Sequence, residues 1–155
     1  MDEIKRGHRI AGWILFIGYL VVLTYFLFFA EGMGRTGTGM KYRYNLTLFK
    51  EIRRFYRYRA TVGMWAFLLN TVGNAVVFIP FGFFVPLIGK RHNGYITVLY
   101  GILFSLGIEF TQYMTGTGIF DVDDIFLNAC GCVIGYLFFM VFVAHLKRKE
   151  RKNEI

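Results

Sequence analysis

The chain has 155 residues, of which 55% are hydrophobic and 19% aromatic, and its mean hydropathy is +0.46. One domain is the most that this length holds, and such apolarity, gathered in long uncharged runs, excludes an ordinary soluble core and points to a membrane protein. Much of the net charge of +8 flanks the apolar runs, where cytoplasmic orientation and acidic lipid head groups account for it. No recognition motif accompanies the charge, so nucleic acid is not an expected partner.

Residues 1–9 form a basic start holding Lys5, Arg6 and Arg9. The 21 uncharged residues 10–30 are enough for a hydrocarbon core of roughly 30 Å at about 1.5 Å per helical residue. A signal peptide would have a shorter apolar region and a small-x-small cleavage site, which Phe28-Phe29-Ala30-Glu31 does not supply. A retained first span is expected.

Residues 31–63 make a long connection that opens on Gly32, Gly34, Gly37 and Gly39 and then turns aromatic and basic. Read as a helix, its second half puts Phe49, Ile52, Phe55 and Tyr56 on one side and Lys50, Arg53, Arg54 and Arg57 on the other. That is the pattern of a helix lying in the head-group plane, with a solvated loop as the rival reading. The second span, 64–88, carries Asn70, Asn74, Pro80 and Pro86, and Ile79-Pro80-Phe81-Gly82 predicts a kink. A tight basic turn at 90–94 leads into the third span, 95–114, broken only by Glu109 and Gln112. The fourth span covers 125–145, and 146–155 is a basic tail. The expected fold is therefore an all-α membrane protein of four transmembrane helices within 10–145, with an amphipathic interfacial helix in the first loop.

Orientation follows from the distribution of lysine and arginine. With the amino terminus inside, the three cytoplasmic pieces hold three, two and five such residues, and the loop at 115–124 holds none. Eight in the first connection argue the other way, so both termini are placed in the cytoplasm on the weight of the remaining pieces.

Under that topology the polar residues of the spans collect in one outer layer. Asn70 and Asn74 lie in the outer half of the second span, Glu109 and Gln112 near the outer end of the third, and Asp121, Asp123, Asp124 and Asn128 at the outer start of the fourth. Glu109 is five residues before Met114, only about 8 Å below the interface at helical rise. Glu109 and Gln112 share a helix face, as do Asp124 and Asn128, so two faces can line one pocket. Carboxylates at membrane depth are costly enough to mark a functional site. Each has a plainer reading too: the aspartates can cap a helix amino terminus, one acid sufficing, while Glu109 and Asn74 can be interhelical glue.

Other features read as structural. Gly131 and Gly135 form a small-xxx-small pattern for close helix approach. Cys130 and Cys132 on a helix point their thiols about 200° apart, which excludes a metal site between them. His8, His92 and His145 lie without evident partners near the cytoplasmic face. There is no serine–histidine pairing, phosphate loop or nucleotide motif.

Taken together, Asn45-Leu46 with Phe49, N-x3-F-x-P-x-G at Asn74, Phe78, Pro80 and Gly82, S-x3-E-x2-Q at Ser105, Glu109 and Gln112, and D-x-D-D-x3-N-x2-G-x3-G from Asp121 through Asn128, Gly131 and Gly135 resemble the VanZ family in order and spacing. The resemblance runs from about residue 44 to 143. It implies a small integral membrane protein of Gram-positive bacteria and their relatives, whose named member gives low-level resistance to the glycopeptide teicoplanin. The chain departs from the family pattern where an arginine often precedes the first aspartate, near Gly118, and in lacking the frequent proline before Phe49. Arginine partners for the acids then fall to Arg53, Arg54 or Arg57.

The preferred functional expectation is a non-enzymatic binding protein of the outer leaflet. Arg53, Arg54 and Arg57 would take the phosphates of an anionic lipid or lipid-linked cell-wall precursor. Asn74, Glu109, Gln112, Asp121, Asp123, Asp124 and Asn128 would engage polar groups or hold the arginines. No cofactor is expected. The alternative is an intramembrane enzyme on a lipid-linked substrate, with Glu109 and Asp124 as general acid and base. It could use a divalent cation such as magnesium or calcium held by oxygen ligands. A purely structural bundle or partner subunit is the third reading.

Overall fold

The computed structural model describes residues 4, 6–26, 44–62, 64–89 and 93–153. The far end of the expected first span, the glycine-rich opening of the first connection and residues 90–92 of the basic turn lie outside the described residues. Among the described residues five helices follow in order: α1 (Arg6–Tyr25), α2 (Lys50–Val62), α3 (Met64–Ile88), α4 (Gly94–Thr115) and α5 (Val122–Asn153). Two short strands, β1 (Tyr44–Asn45) and β2 (Phe120–Asp121), pair in parallel, Tyr44 opposite Phe120 and Asn45 opposite Asp121. α1, α3, α4 and α5 are each long and apolar enough to cross a membrane. The fold is all-α, with four candidate spans.

Local chemistry sets the helix ends. Asn93 caps α4, its Oδ1 accepting the N–H groups of Tyr95 and Ile96 at 2.8 and 3.3 Å. At the other end Gly116 adopts φ 68°, the left-handed position that ends a helix at little cost when no Cβ is present. α3 runs unbroken through Pro80 and Pro86. Beside the first of these, the Tyr19 hydroxyl of α1 donates to the Val77 carbonyl at 2.9 Å. α5 does not stop at the apolar stretch. Its 32 residues span about 48 Å, well past a hydrocarbon core of roughly 30 Å. Lys147 to Lys152 are strong helix formers, and cations in a last turn face the negative end of the helix dipole.

The spans meet backbone to backbone. A Cβ at Gly131 would overlap the carbonyl of Ala75, one at Gly135 that of Ile79, and one at Gly82 that of Cys132, so α5 is in close contact with about two turns of α3. Lipid tails are as apolar as leucine, so association inside a bilayer depends on this kind of close packing rather than on the hydrophobic effect. Around the seam Phe16, Phe78, Phe81, Ile108 and Cys132 are buried, and Phe81 stacks on Phe104 with ring centroids 5.0 Å apart. A second cluster of Ile4, Leu87 and Phe139 closes the opposite end, where His8 meets the Phe142 ring edge-on at 6.0 Å.

Candidate functional site

Ser105, Glu109 and Gln112 occupy one stripe of α4, four and three residues apart, and are 0%, 4% and 6% exposed. Past Gly116 the chain turns back on α4 instead of leaving the bundle. The Gly118 N–H donates to the Gln112 carbonyl at 3.3 Å, and the Asp121 N–H donates to Glu109 Oε2 at 2.9 Å. Glu109 is six residues before Thr115, so β2 and the start of α5 lie about 9 Å below the end of α4.

β2 brings β1 to the same level. Asn45 donates through Nδ2 to Asp121 Oδ1 at 2.9 Å and accepts the Thr47 N–H on Oδ1 at 3.2 Å. Asp121 Oδ1 also accepts the Asp123 N–H at 2.8 Å, which makes Asp121 the cap of α5. Asp123 serves a different helix. It is 1% exposed and accepts the N–H groups of Phe49 and Ile52, the latter at 3.4 Å, so it caps α2 across 71 residues of chain. Phe49 has φ 65°, which costs a non-glycine residue about 1–2 kcal/mol, and the hydrogen bond to Asp123 together with ring contact to Phe126 at 5.3 Å offsets it. Asp124 accepts from Asn74 Nδ2 of α3. One turn further, Asn128 Nδ2 donates to Ser105 Oγ at 2.8 Å.

The residues singled out from the sequence thus occupy one end of the bundle, bridged by direct bonds between Glu109 and Asp121 and between Asn74 and Asp124. Arg53, Arg54 and Arg57 stand exposed along α2. Two acids do the capping where one seemed enough, because α5 and α2 each present an amino terminus to the same layer. Sequence reasoning placed no role on Asn45 or Ser105. Both were visible only as members of the family-like pattern, since their partners are 76 and 23 residues away.

The physical sense of the layer is that backbone N–H groups without an intrahelical partner need acceptors where water is scarce. Glu109, Asp121 and Asp123 each supply one. Among the described residues no group of three or more His, Cys, Asp or Glu could hold a metal ion. Because a glutamine carbonyl can still accept the Asp121 N–H, Glu109→Gln should keep most of the stability. Glu109→Ala should lose about 1–3 kcal/mol by orphaning that donor, read as a lower midpoint for thermal unfolding in detergent.

A model of the VanZ/LLP1 family matches residues 16–143, most of the chain, including the whole polar layer. The chain belongs to this family. It is a VanZ-type protein with the multi-pass membrane character of its four spans. Searches of the curated proteins and of the solved structures return no match.

Proposed function

We propose that this VanZ-type protein binds an anionic lipid or a lipid-linked cell-envelope precursor at the outer leaflet, with α2 as the phosphate-binding element. By masking such a precursor it would lower access for glycopeptides of the teicoplanin kind. One observation carries the reading: Asp123 fixes the amino terminus of α2 to α5, which holds exposed Arg53, Arg54 and Arg57 beside the start of α3. Guanidinium groups match phosphate oxygens in fork geometry, and exposed Tyr56 and Tyr58 suit the interfacial zone. The basic tail and basic start then lie in the cytoplasm with both termini. The acid–base alternative draws no comparable support, because Glu109 accepts the Asp121 N–H and Asp124 accepts from the Asn74 amide, so each of its two acids already serves a structural donor.

The test is native mass spectrometry and vesicle binding with phosphate-bearing lipids, including undecaprenyl-linked ones. Each basic residue near an anionic surface is worth roughly 1 kcal/mol, so replacing all three arginines by glutamine should weaken binding by about 100-fold without altering the fold. Equal binding by parent and triple variant would overturn the proposal.

A further inference from the structure

The first connection enters the bundle at an unusual depth. β2 runs beside Glu109, and β1 is paired with β2, so both lie about 9 Å below the last turn of α4. At and above that level α4 still presents Phe110 and Met114, 57% and 52% exposed, on its outer surface. The hydrocarbon-facing surface of the bundle therefore extends past β1. β1 and the segment that follows it present apolar side chains outward: Tyr44 is 64% exposed, Leu46 66% and Leu48 44%. Behind it Asn45 is buried against Asp121.

Irregular backbone survives at membrane depth only where its polar groups are satisfied. Here several of them are met from within the protein. Thr47 N–H goes to Asn45, Lys50 N–H to the Thr47 carbonyl, and the N–H groups of Phe49 and Ile52 to Asp123. A surface loop in water has no need of a buried carboxylate for this, and it would not set Leu46 and Leu48 outward.

We infer that residues 44–49 form a re-entrant turn whose Tyr44, Leu46 and Leu48 face the acyl chains of the leaflet bordered by α2. At the end of the turn the partly exposed Phe49 ring meets that of exposed Phe126 in α5. The charge pattern changes where this placement requires it, with Lys50 and Arg53 beginning the basic run as the chain enters α2. The inference needs only that the bundle spans a bilayer, and failure of phosphate binding by α2 leaves it standing.

Spin labels on cysteines placed at Leu46 and Leu48 test it in the full chain reconstituted into vesicles of zwitterionic and anionic phospholipid. Cys130→Ala removes the accessible native thiol, and Cys132 is fully buried. Oxygen concentrates in hydrocarbon and a water-soluble nickel chelate is excluded from it. The oxygen-to-nickel accessibility ratio at 46 and 48 should therefore approach that of a label at exposed Leu137 in α5, several-fold above one at Lys149. A ratio like that at Lys149 would mean an aqueous loop and overturn the inference. Protection from both reagents would mean that protein covers the turn, and would overturn it as well. Both sites are exposed, so a label displaces no packed side chain, and either position decides the matter if the other fails to reconstitute.

Discussion

Gly131→Leu should yield no folded protein, Gly131→Ala should be severely weakened, and Gly107→Ala should equal or exceed the parent in stability. The three substitutions share a chemistry and differ only in what the new atoms meet. At Gly131 a single Cβ overlaps the carbonyl oxygen of Ala75 and stands 2.9 Å from its carbon and 3.1 Å from the Phe78 Cβ. Ala75 is backbone in a helix already pressed on α5, so relief requires α3 and α5 to separate along their length. Overpacking a tight core costs about 1–3 kcal/mol where side chains can shift. Here the obstacle is main chain, so even alanine should reach the top of that range. At Gly107 nothing lies within 4 Å, and replacing glycine by alanine inside a helix gains about 0.5–1 kcal/mol. Yield of monodisperse protein and thermal unfolding in detergent read all three. A Gly131→Leu variant with the parental elution profile and midpoint would show that the α3–α5 contact is not what holds the bundle.

Asp123→Ala should free α2 while the four spans stay assembled. The carboxylate accepts two backbone N–H groups, and hydrogen bonds to a charged group are worth about 1.5–3 kcal/mol each. Their loss, roughly 3–6 kcal/mol, falls locally on α2, which also loses support for the left-handed Phe49. Trypsin reports this directly, because exposed Arg53 and Arg57 resist cleavage while helical and become substrates once α2 undocks. Asp123→Asn keeps one carbonyl acceptor and should fall between parent and alanine. Asp124→Asn, altering an acid bonded to Asn74 of α3, leaves both α2-capping bonds of Asp123 in place and should leave cleavage nearer the parental rate than Asp123→Ala does. Unchanged proteolysis in a folded Asp123→Ala variant would remove the capping role. If α2 also binds phosphate, Asp123→Ala lowers lipid affinity with every arginine intact.

Much of the architecture was open to reading before any coordinates. Four predominantly apolar runs separated by basic or acidic connections determine four spans, because each residue's transfer into hydrocarbon is a local and additive property. The small-xxx-small pair Gly131 and Gly135 marked the contact face of α5 for a similar reason. Its partner Gly82 carried no such mark, since a lone glycine reveals nothing until another helix faces it. The acidic layer was legible as a cluster, because apolar segments leave few places for carboxylates. What each carboxylate does was not legible. Asp121 and Asp123 are two residues apart and chemically identical, yet one caps its own helix and the other caps α2, a distinction set by where the paired strands bring the first connection.

The sequence by itself determined the membrane class, the number of spans and the end of the bundle where charge gathers. Only the tertiary structure decided that the connections carrying β1 and β2 dip alongside α4, that Asn45 meets Asp121, and that the costly carboxylates answer backbone N–H groups. Hydropathy is summed along the chain and survives in one dimension. Hydrogen bonds between residues 71 to 76 positions apart depend on the path of the intervening helices, and that path exists only once the seam between α3 and α5 has closed.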